Sequence, residues 1–144
     1  MTRPEPARIV CIGNRFVEAD ALGPRVFDRL SAQALPRGVA VIDGGTRGPD
    51  LLSECDGARR IVFVDALRGF GPPGEVVRLS EVDADLGPTD HGAGLPWLLR
   101  ALPLAFDPAP DACVVGADGA PDDALCARVA AAALAAIRAS GGAP

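Results

Sequence analysis

The sequence predicts an α/β fold, a three-layer α/β/α sandwich around a mostly parallel sheet of about five strands. Three observations predict it. Short apolar, β-branched runs alternate along the chain with segments of helical periodicity. The runs are continuously apolar rather than alternating, as expected of strands covered on both faces. Most of them end on small or acidic residues, where an open parallel sheet gathers its ligands. The 144 residues suit one domain, 1–144, with one core.

Arg8-Ile9-Val10-Cys11-Ile12, stopped by Gly13-Asn14, reads as the first strand. Leu22, Val26 and Leu30 then recur at helical spacing. Pro24 fits only a first turn, so this helix should begin just before it, with Asp20 at or beside its N-cap. Val39 to Ile42 is a second strand, ended by Asp43-Gly44-Gly45-Thr46, and a short helix should follow through Leu51, Leu52 and Cys55. Arg60 to Val64 is a third strand ending at Asp65, and Glu75 to Leu79 a fourth. Leu95, Leu98, Leu99 and Leu102 mark a third helix, with Pro96 delaying or kinking its start and a loop expected from Pro103 to Pro110. Asp111 to Val115 is a fifth strand. Leu125, Val129, Ala133 and Ile137 trace one face of a final Ala-rich helix.

Composition narrows the function. The formal net charge is −5 and the arginines are scattered, so no basic footprint for nucleic acid is present. The N-terminal residues lack the apolar core of a signal peptide, and no apolar run nears the ~20 residues that span a bilayer, so a cytoplasmic protein without a membrane partner is expected. Cys11, Cys55, Cys113 and Cys126 form no C-x-x-C pair and read as buried free thiols. Gly69-Phe70-Gly71-Pro72-Pro73-Gly74 spells G-x-G-x-x-G, but a strand-like run rather than a helix follows it. Its two prolines have no N–H for a pyrophosphate, so it reads as a turn.

The remaining candidates for chemistry are Asp20, Asp65 and the single histidine, His91. Taken alone, Asp20 suits a helix cap, Asp65 a solvated strand end and His91 a loop. Taken together, two carboxylates and one imidazole suit a borderline ion such as nickel or zinc and leave coordination positions open. Asp43-Gly44-Gly45-Thr46 can be a turn in which Thr46 caps a helix. Its two glycines would equally let backbone N–H groups meet a ligand or an incoming peptide. No P-loop lysine follows, which counts against a nucleotide-binding domain.

Several stretches together resemble the hydrogenase maturation proteases, the nickel-dependent endopeptidases that trim the C-terminus of a NiFe-hydrogenase large subunit. They are Ile9-Val10-Cys11-Ile12-Gly13-Asn14, Asp20-Ala21-Leu22-Gly23-Pro24, Val41-Ile42-Asp43-Gly44-Gly45-Thr46 with Leu51-Leu52, Val64-Asp65-Ala66, and His91 with Gly94-Leu95. The resemblance runs from about residue 8 to 102, and Val114-Val115-Gly116 weakly matches a late strand. It implies a metal site of Asp20, Asp65 and His91, and a substrate-handling loop at Asp43, Gly44, Gly45 and Thr46. It also implies nickel that arrives inside the hydrogenase precursor rather than nickel held tightly by the apo protein. The precursor would be the partner. The group that takes the proton stays open, with a carboxylate oxygen of Asp20 or Asp65 as a candidate. After Gly116 only Ala117 to Pro121 precedes Asp122, a shorter loop than the family's. That shortening motivates the alternative of a non-catalytic relative that binds metal or precursor as a maturation chaperone.

Overall fold

The computed structural model describes residues 6–80 and 94–139. Their order is β1 (Ala7–Ile12), a 3-10 helix (Glu18–Asp20), α1 (Leu22–Ser31), β2 (Val39–Gly45), a second 3-10 helix (Gly48–Cys55) and β3 (Arg60–Ala66). β4 (Val76–Ser80), α2 (Gly94–Ala105), β5 (Asp111–Ala117) and α3 (Asp123–Ala139) follow. The five strands form one sheet in the order β2-β1-β3-β5-β4. All neighbours are parallel except β4, which runs antiparallel to β5 at one edge. The expected three-layer, mostly parallel architecture is the one observed.

Alternation along the strands divides the core into two layers. Ile9, Cys11, Val62, Val64, Cys113 and Val115 face α1 and α3. Val10, Ile61, Phe63, Ala112 and Val114 face the second 3-10 helix and α2. β1, β3 and β5 are therefore covered on both faces, as their unbroken apolar runs imply. β2 is an edge strand and stays half-buried over Val39 to Ile42. Each fully buried aliphatic or aromatic side chain in these layers contributes roughly 1.5–3 kcal/mol by leaving water.

Two elements run further than the sequence pattern suggests. β2 continues through Asp43, Gly44 and Gly45, because the pairing with β1 survives a bulge: Cys11 pairs with Asp43 and Ile12 with Gly45, leaving Gly44 as the extra residue. α2 continues past Pro103 to Ala105. The buried Leu98, Leu99 and Leu102 hold it against the core, and the Phe106 N–H still reaches the Leu102 carbonyl at 3.1 Å. Pro96 lies in the first turn of α2, where its missing N–H is least costly. Gly69 to Gly74 is irregular chain between β3 and β4, as expected of a turn.

The chain leaves β1 through α1 to reach β2 on one side, then crosses by the second 3-10 helix to β3 on the other. The carboxyl ends of β1 and β3 thus flank the point where strand order reverses, which is where a doubly wound sheet opens a crevice.

Candidate active site

That crevice exists, with a volume of about 140 Å3. It is several times the ~30 Å3 that one water takes in the liquid, and well short of the ~300 Å3 at which drug-sized ligand pockets begin. It suits an ion and the groups around it, not a nucleotide. Asp20 and Asp65 both line it. Gly13, Gly45, Thr46 and Gly48 supply backbone-rich rim, while Ile12, Leu51, Leu95 and Leu98 form the apolar wall.

Asp65 enters from β3. It pairs with Gly116 of β5 in the parallel register and is only 7% exposed. A Cβ on Gly116 would fall on the Asp65 carbonyl oxygen, so the glycine permits the two strands to close at this level. The Asp65 carboxylate accepts the Ala66 N–H at 2.8 Å. Burial, and then the negative charge of Asp20, push the Asp65 carboxyl up to about 8, with the Ala66 bond pulling the other way. A carboxyl in this state keeps its proton near neutral pH until a cation arrives to replace it.

Asp20 enters as the last residue of the first 3-10 helix. Its carboxylate accepts the Asn14 N–H at 2.9 Å, so it caps the loop that precedes it rather than α1, whose N-cap is Ala21. Gly13 makes the approach feasible. Its φ of +147° is a conformation that side chains rarely adopt, and a Cβ there would fall on the Asp20 carbonyl oxygen. The Gly13 N–H reaches the Gly45 carbonyl at 3.0 Å, which ties the ends of β1 and β2 together beside the crevice.

Of the four residues from Asp43 to Thr46, Gly45 and Thr46 line the crevice. Gly44 is buried at the bulge behind it. Asp43 is exposed, with its carboxylate 3.6 Å from Arg15. His91 lies outside the described residues. Among the described residues no group of three His, Cys, Asp or Glu side chains is placed to hold a metal ion. Neither Asp20 nor Asp65 has an ion-pair partner among them. The donor set present is thus two carboxylate-bearing groups with hard oxygen atoms, a site that binds a divalent cation weakly unless further ligands come with it.

The sequence carries no signal for the apolar wall. Leu51, Leu95 and Leu98 stand at helical positions that point to the core, and nothing in their spacing marks them as also bounding a crevice.

A doubly wound α/β domain with two acids at its switch point does not by itself name an activity. Comparison with known proteins makes the class specific. The sequence profile of the hydrogenase maturation protease family matches residues 24–116, and the chain belongs to that family. A hydrogenase expression/formation protein, HupD of Rhodobacter capsulatus, is 32% identical over 82 residues, which make up 56% of this chain and 39% of that protein. The match therefore spans about two-fifths of that relative's length. Among solved structures, the hydrogenase maturating endopeptidase HybD from Escherichia coli superposes with a TM-score of 0.76 at 24% identity, covering 94% of this chain and 93% of that one. A solution structure of an endopeptidase from Escherichia coli gives 0.70 at 26% identity, covering 93% and 94%. Among the described residues no helix is long and apolar enough to cross a membrane.

Proposed function

We propose that this protein is a nickel-dependent endopeptidase that removes the C-terminal peptide of a NiFe-hydrogenase large-subunit precursor after nickel has been inserted. The observation that carries the reading is the convergence of Asp20 and Asp65, 45 residues apart in the chain, on one small crevice that no basic side chain lines among the described residues. Membership of the family and the endopeptidase activity named for its solved relatives support it.

In this reading nickel belongs to the substrate. The precursor presents it already held by its own ligands. Asp20, Asp65 and His91 complete its shell, and the neighbouring peptide bond is thereby fixed in register. Such positioning supplies several kcal/mol of a barrier, on the order of 7–11 in well-oriented cases. The ion polarises the scissile carbonyl or lowers the pKa of a water. Gly45 and Thr46, on the crevice rim, face the incoming chain. A carboxylate oxygen of Asp20 or Asp65 accepts the proton released by the attacking water. A site with no thiolate and few ligands of its own cuts only after nickel is present, so the ion reports that insertion is complete.

The test is incubation of purified protein with nickel-loaded precursor, read by mass spectrometry. Loss of a C-terminal peptide is expected, and none without nickel. His91→Ala should leave the precursor intact while its circular dichroism matches wild type. Normal cleavage by His91→Ala would remove the proposed metal site. Tight binding of the precursor without cleavage by the wild-type protein would instead favour a maturation chaperone.

A further inference from the structure

Beside the crevice, the loop from Asn14 to Asp20 carries an apolar tip. Phe16 is 92% exposed and Val17 46% exposed. An exposed phenylalanine on a loose loop would mean little, but this loop is built. The Asn14 side-chain oxygen accepts the Phe16 N–H at 2.9 Å, and the Val17 N–H reaches the Asn14 carbonyl at 3.1 Å. Arg15 forks onto the Asp28 carboxylate of α1 at 2.6 and 3.1 Å. The loop closes where the Asn14 N–H meets the Asp20 carboxylate. Asn14 therefore both orders the turn that presents Phe16 and donates to the Asp20 carboxylate, and Phe16 is not among the residues that line the crevice.

We propose that Phe16 is a recognition residue that seats in an apolar recess on the folded body of the precursor, outside the peptide that is removed. The inference rests on the endopeptidase reading above. A crevice of about 140 Å3 accommodates the ion and little of the client beyond it, so discrimination between clients needs contacts outside it. Large apolar side chains on pre-ordered backbone are the groups that dominate such interfaces, since they bury much area and lose little freedom on docking. Through Asn14 the loop also ties this docking point to the Asp20 carboxylate at the crevice.

The experiment compares Phe16→Ser and Phe16→Leu with wild type on full-length nickel-loaded precursor. Phe16→Ser should raise KM by about tenfold or more, with a smaller effect on kcat, and Phe16→Leu should recover most of the loss. Thermal melting of both variants should match wild type, because the side chain touches little of its own fold. A wild-type protein that cuts the precursor, beside a Phe16→Ser variant with the same KM, overturns this inference alone. A wild-type protein that leaves the precursor uncut overturns the endopeptidase reading and this inference with it.

Discussion

Asp65 and Gly116 lie opposite each other on β3 and β5, and the glycine leaves no room for a side chain above the Asp65 carbonyl. The acid's position thus depends on a residue 51 places further along the chain that has no chemistry of its own.

Gly116→Ala is accordingly expected to destabilise the fold by about 1–3 kcal/mol, the usual range for forcing extra volume into a packed interior. At roughly 2–4 °C per kcal/mol for a domain near this size, the melting temperature should fall by several degrees. Calorimetry of the purified variant checks it. An unchanged melting temperature would mean that the strands have slack at this level.

The raised Asp65 carboxyl predicts a pH dependence with a definite sign. In the folded protein it keeps its proton up to about pH 8, whereas in the unfolded chain it releases it near the ordinary carboxylate value. Between those limits the native state binds more protons than the unfolded state, so stability falls as pH rises from about 4 to about 8. Asp65→Asn, which cannot ionise, should flatten that part of the profile and melt above wild type at pH 8. Urea titrations of both proteins across this range measure it, and a slope equal in the two would place the linkage elsewhere.

All four cysteines are buried free thiols. Burial pushes the Cys55 thiol up to about 11 and raises Cys11 and Cys126 as well. Thiolate is the reactive form. Native protein at pH 8 should therefore react with Ellman's reagent only on the timescale of unfolding, and the guanidinium-denatured chain should yield four thiols at once. A rapid stoichiometric reaction of the native protein would contradict the packing of Cys11 between the sheet and α1.

Much of this molecule was legible in its residues. Ile9 to Ile12, Ile61 to Val64 and Ala112 to Val115 are short unbroken apolar runs, and their length and β-branched content mark them as strands buried on both faces. Asp65 is legible as the end of a parallel strand, and such ends share an edge, whereas the pairing of Asp20 with it is what the family resemblance implies. The rest depended on partners that a sequence does not display. The bulge at Gly44 belongs to the pairing of β1 with β2, not to β2 itself. The exposed Asp43 meets Arg15, which precedes it by 28 residues. The passage of α2 through Pro103 depends on leucines that bind it to the core more strongly than proline disrupts it. His91 was singled out from composition and lies outside the described residues, so its place in the site is a matter for the cleavage assay.

Leu51 and Leu98 are at once interior filling and the wall of the crevice. Trimming either side chain to widen the opening also removes packing beneath α2, so the room in the crevice and the protein's tolerance of heat are tied to the same two residues.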